Sequence, residues 1–87
     1  MAEKQKVGEV FTYFAKPMVA GIKITEGSLS VGDKISIEGH TTNVQQTVDS
    51  MQVEHGSVQT AQTGHEIGMK VAGRVRPHDV VYKVVGE

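Results

Sequence analysis

The sequence predicts an all-β domain, and three observations carry that prediction. The apolar residues are chiefly Val and Ile, with no Trp, two Phe and two Tyr, and β-branched side chains pack well on a pleated surface. Apolar residues recur with period two, most clearly where Ile35 and Ile37 alternate with Ser36 and Glu38, so that segment has one dry face. Glycine-bearing turn sequences separate the apolar runs, as in small all-β folds.

Length and charge narrow the class further. The 87 residues suffice for one core, and folding at this size buries only about 60–65% of the unfolded chain's surface. A formal net charge of -1 does not indicate a strongly basic nucleic-acid binder, although a local patch remains compatible with it. The absence of cysteine excludes a disulfide framework, thiolate metal ligation and a cysteine nucleophile. The opening Met-Ala-Glu-Lys-Gln-Lys lacks the apolar core of a signal peptide, and no apolar run approaches the roughly 20 residues of a membrane span. A soluble, cytoplasmic protein that binds no membrane is the expectation, with oligomeric state left open.

Residues 1–6 are polar and are expected to form a disordered tail, with one domain over 7–87. The run from Val7 to Phe14 is strand-like, with Gly8 a point of bulge or close approach. Its apolar residues fall on both parities, which calls for two covered faces or a bend. Pro17 ends this run because it has no N–H to give a ladder. Val19–Ile24 is a second strand, with Ile22 and Ile24 inward, and the turn chemistry of Thr25–Ser28 follows it. Leu29 and Val31 are expected to plug one end of the core. Gly32 stands third in the turn Ser30–Asp33, where a type II turn requires positive φ and glycine has no Cβ to clash.

Beyond the strand from Lys34, Gly39–Asn43 is a polar connector. Between Val44 and Val53 the apolar parity switches, predicting a bulge or sharp bend near Asp49–Ser50. His55–Gly64 is too weakly apolar for a helix. Ile67–Val71 alternates again after a turn at Gly64, Arg74–Asp79 is a charged loop, and Val80–Val85 closes the chain with Val80, Tyr82 and Val84 inward. About six short strands of this kind suggest a closed barrel or a sandwich, because a small open sheet exposes its edges.

From Gly8 to Val84 the chain resembles the second domain of translational GTPases of the elongation factor Tu type. The residues that carry the resemblance are Gly8-Glu9-Val10, then the run of Gly27, Leu29, Val31, Gly32, Asp33, Ile35, Ile37 and Gly39, then Thr47-Val48. After these come Ala61, Gly64, Ile67 and Gly68, and finally Asp79-Val80-Val81. The resemblance implies a closed six-stranded Greek-key barrel. The chain is also similar to small free-standing elongation factor-like proteins, and to the accessory barrel of collagenase-like peptidase family proteins. No Gly-x-x-x-x-Gly-Lys-Ser/Thr occurs, so no nucleotide is expected to bind. The family's aminoacyl-tRNA carriers resemble Thr-Val-x-x-Val-Glu-Met-Phe-Arg after the central strand. Ungapped alignment sets Gln52 in place of that Glu and His55 in place of that Arg, so carriage of charged tRNA by that route is not expected.

The residues left for function are few. Lys70, Arg74, Arg76 and His78 form the local basic concentration and suit phosphate contacts, set against an ordinary solvated strand end. Gln52 and His55 mark a second loop. Phe11, Tyr13 and Phe14 suit base stacking or core packing, with Tyr13 and Phe14 beside Lys16 the outward pair. His40, His55, His65 and His78 lie in loops without the close spacing of metal ligands, and no metal or cofactor is expected. The acidic residues are scattered and no nucleophile motif accompanies them, so the expectation is a non-catalytic domain. Its expected partner is RNA or a ribonucleoprotein, with docking on a larger protein as the alternative.

Overall fold

In a computed structural model of the chain, which describes residues 3–53 and 56–85, the alternating segments form strands. The described residues form ten: β1 (Glu3–Phe14), β2 (Val19–Ile24), β3 (Ser28–Ser30), β4 (Lys34–Glu38), β5 (Asn43–Thr47), β6 (Met51–Val53), β7 (Gly56–Val58), β8 (Thr60–Gln62), β9 (Glu66–Lys70) and β10 (Val80–Val85). Eight make one sheet in the order β5-β4-β10-β1-β2-β9-β6-β7, and β3 pairs with β8 as a separate ribbon. Every pairing is antiparallel. The fold is therefore all-β.

The expected closed six-stranded barrel gives way to this arrangement. No ladder among the described residues joins β5 to β7 at the two ends of the sheet. The long strand expected over 44–53 is broken where its parity switches. The Val48 N–H donates to Asp33 O at 2.8 Å and Val48 O accepts from Gly32 N at 2.9 Å. Both backbone groups of Val48 thus belong to the turn before β4, and β6 starts afresh at Met51 to pair with β9. The short strands β3, β7 and β8 carry too few apolar residues to have been legible.

Two bulges reconcile β1 with its neighbours. Val7 is skipped in the ladder to β10 and Phe11 in the ladder to β2. The extra residue at Phe11 lets Val10 and Tyr13 both turn towards the interior while Phe11, Thr12 and Phe14 turn away. This is the bend that the mixed parity required. Residues 3–6, expected as a disordered tail, form the first part of β1 instead and pair with β10 from Glu3↔Val85 to Lys6↔Tyr82. Their backbone groups are satisfied by that ladder, which polar composition does not reveal.

One apolar cluster runs through the sheet, with Ile22, Ile24, Leu29, Ile35, Ile37, Met51, Ile67 and Met69 among its buried members. Leu29 faces Ala61 across the β3–β8 ribbon, and neither is accessible to solvent. Val31, expected to fill the core beside Leu29, is 41% exposed. It stands second in the turn 30–33, and only its backbone is engaged, its N–H donating to Gln59 O at 2.8 Å. In β10 the expected parity also reverses. Val81 is fully buried opposite Ile37 and Gly8, while Val80, Tyr82 and Val84 are half-buried. Gly8 lies between Val81 and Ile24, and a Cβ there would overlap the Lys23 carbonyl oxygen.

Candidate functional site

Two surfaces gather the residues singled out in the sequence. The first is the outer side of the β1–β2 hairpin. Phe11 is 48% exposed, Phe14 56% and Met18 37%, large values for apolar side chains in a chain this small. The Phe11 bulge aims its ring over Gly21, where a Cβ would stand 2.9 Å from the ring Cζ and 2.6 Å from the Thr12 methyl. Glycine at 21 therefore lets the ring lie against the sheet. The adjoining turn, 15–18, closes with Met18 N donating to Ala15 O at 3.3 Å, and Met18 takes φ 55°. A non-glycine residue in that region is uncommon. Lys16 is exposed in the same turn, and Tyr13 is half-buried and packed on the core. The outward aromatics are thus Phe11 and Phe14, and Tyr13 serves the interior.

The second surface surrounds the turn 76–79. Asp79 N donates to Arg76 O at 3.1 Å, and Arg76 N donates to Asp79 Oδ2 at 2.8 Å. The same reciprocal clamp holds 30–33, where Asp33 N donates to Ser30 O at 3.0 Å and Ser30 N to Asp33 Oδ2 at 2.8 Å. It recurs at 62–65, with His65 Nδ1 accepting from Gln62 N at 3.2 Å. The third residue of each has positive φ: Gly32 at 98°, Gly64 at 95° and His78 at 79°. Asp33 and Asp79 are thereby explained as turn clamps, Asp33 also receiving Lys83 Nζ at 3.3 Å. His78 alone holds this place with a side chain.

A shallow cleft is lined by Gly39, His40, Thr41 and residues 76–79. It brings Arg76 and His78 together with His40, which sequence spacing gave no reason to join to them. Lys70 lies elsewhere, in a cleft with Gln46, Thr47, Asp49, Val71 and Ala72. Arg74 is exposed on the connector between. Gln52 is exposed on β6, opposite Ser57 and Gly68, and His55 lies outside the described residues. Gly27 takes φ 66° and its carbonyl accepts from Thr63 Oγ1 at 2.9 Å. Among the described residues no three His, Asp or Glu side chains are placed to hold a metal ion, and no helix is long and apolar enough to cross a membrane.

A family model described as elongation factor Tu domain 2 matches residues 18–81. Two proteins named collagenase from Porphyromonas gingivalis are 38% and 39% identical to the chain over 82 and 85 residues, covering 93% and 94% of it. An uncharacterized protease of Methanocaldococcus jannaschii is 39% identical over 80 residues, 91% of the chain. The chain spans only about a fifth of these relatives, 23%, 20% and 19% of their lengths. Among solved structures, the C-terminal domain of a Geobacillus thermoleovorans protein assigned as a U32 peptidase superposes with TM-score 0.84 at 20% identity, covering 91% of each chain. GDP-bound aIF5B from Aeropyrum pernix gives TM-score 0.63 at 12% identity, over 94% of this chain and 14% of that one. These two likenesses establish a shared fold. The expectation of a non-catalytic domain is contradicted by the three curated relatives, two named collagenase and one named an uncharacterized protease, although what they share with this chain is one small part of each.

Proposed function

The chain belongs to the elongation factor Tu domain 2 family, and on that premise we propose that it acts as an accessory docking domain of a peptidase-type protein. The observation that carries this reading is the match of more than nine-tenths of the chain to about a fifth of proteins named as proteases. In such relatives a domain of this kind is attached to a body several times its size. The outward face of β1–β2 supplies a contact surface for that body. Phe11, Phe14 and Met18 are of the types enriched at interface centres, and the bulge and the tight 15–18 turn fix their directions before binding.

The test is binding of this chain to the Porphyromonas gingivalis collagenase shortened by its own matching segment. A complex is expected whose affinity changes little with salt, and which Phe11→Ser with Phe14→Ser abolishes while the variant remains folded. Equal binding by the double variant would sink the proposal. A second reading, RNA binding, is favoured by the exposure of Lys70, Arg74 and Arg76. It predicts affinity that falls steeply as salt rises, through counterion release.

A further inference from the structure

We propose that the tip of the β4–β5 hairpin and the turn 76–79 together form a binding site for a phosphoryl oxyanion, held by the His40 and His78 imidazoles and the Arg76 guanidinium. The site is independent of the docking role of β1–β2. Its origin is the register of two central strands. The β4–β10 ladder runs from Ile35↔Lys83 to Glu38↔Val80. One step beyond it, Gly39 meets Asp79, and a Cβ on Gly39 would overlap the Asp79 carboxylate. Beyond Gly39 the chain turns, Gly39 N donating to Thr42 O at 2.9 Å, and that turn and the turn 76–79 bring His40 and His78 to the lining of one cleft. Two histidines 38 positions apart in sequence thus line the same cleft.

Three features fit this cleft to an oxyanion. Arg76 adds a fixed positive charge with a planar fork of donors suited to phosphate, and the Thr41 hydroxyl is a further donor in the lining. The Asp79 carboxylate, the nearest negative group, is buried and committed to the Arg76 N–H. On the flanking strands, Glu38 is paired with Lys4 and Glu9 with Lys6. The carboxylates around the cleft are thus already engaged, and the imidazole pair faces solvent beside an arginine.

Backbone strain points to the same place. In the two sister turns the third position is glycine, whereas here it is His78 at φ 79°. Such strain is characteristic of functional positions. Glycine would relax this turn, so the backbone there does not itself require the imidazole.

The experiment is a titration of the isotopically labelled chain with inorganic phosphate near pH 6, following the imidazole signals of all the histidines. The His40 and His78 signals are expected to move together and saturate. His78→Gly removes the imidazole while relaxing the turn, so it keeps the fold. It should weaken binding about tenfold, the loss of one charge-assisted hydrogen bond, with the melting temperature unchanged or raised. Arg76→Gln should weaken binding similarly. The proposal is overturned if chloride at matched ionic strength moves the same signals equally, if only one of the two imidazoles responds, or if His78→Gly binds phosphate as well as the parent chain. A parallel titration with a short mixed-sequence RNA identifies the source of the oxyanion. Movement of the same pair at lower concentration than with phosphate assigns a phosphodiester backbone, and movement with phosphate alone assigns a free phosphate group.

Discussion

Replacing Gln46 by Met should reveal how the open side of the sheet is held. The Gln46 side chain reaches from β5 to the segment leaving β9. Its Nε2 donates to Lys70 O at 3.0 Å, and its Oε1 accepts from Ala72 N at 2.6 Å. The amide thus behaves as a peptide group inserted where no backbone ladder runs. Methionine keeps the length and apolar stem of the side chain and removes both hydrogen bonds. Each contributes about 0.5–1.5 kcal/mol net, and Lys70 and Ala72 are exposed, so water can satisfy the freed groups. The cost therefore falls towards the lower end, about 1–2 kcal/mol. For a domain of this size that lowers the melting temperature by about 5–15 °C.

Amide hydrogen exchange gives the local readout, since the Ala72 N–H should lose its protection in Gln46→Met while core amides of β2 keep theirs. A companion variant, Gln46→Glu, tests direction. A carboxylate still accepts from Ala72 N but offers Lys70 O no donor, so at neutral pH this variant should lie between the parent chain and Gln46→Met in stability. An unchanged melting temperature in Gln46→Met, with Ala72 still protected, would refute the bridging role.

Three further outcomes follow from the packing and the charges. Leu29→Ala should cost about 2–5 kcal/mol as a core cavity, whereas Val31→Ala should stay within about 0.5 kcal/mol as a surface change, both read by urea denaturation. Gly39→Ala should destabilise by about 1–3 kcal/mol through overpacking against Asp79, and a companion Asp79→Ser should recover part of that loss. The Lys4 ammonium, and then the Ser36 hydroxyl, hold the Glu38 carboxyl below the usual carboxylate value, with burial opposing them. Its folded pKa is therefore lower than its unfolded one. The associated stability is present above the unfolded value and disappears as the pH falls through the folded value. Lys4→Met should remove most of that pH dependence, measured as unfolding midpoint against pH.

Much of the strand map was legible because β structure leaves a local trace. Ile35 and Ile37, Ile22 and Ile24, and Ile67 and Met69 are buried as their alternation indicated. Gly32 has the positive φ that its turn demanded, and the parity switch in 44–53 marked a real break. Less was legible of the candidate sites. Arg76 and His78 were visible as a charged loop, but their neighbour His40 was visible only as a loop histidine. Phe14 was legible as outward, but Phe11 could be placed outward and Tyr13 inward only once the bulge was located, since a single inserted residue reverses the face of everything beyond it.

The sequence by itself determined an all-β chain, its main strands, its turns and most of its aliphatic core, because alternation and turn chemistry act over a few residues. The tertiary structure alone decided that residues 3–6 extend β1, that Val81 and not its neighbours enters the core, that no ladder among the described residues closes the sheet, and that His40 shares a cleft with His78. Each of these depends on the register between strands distant in sequence. Register is set by backbone hydrogen bonds, which are chemically alike at nearly every residue, and by bulges that composition does not mark.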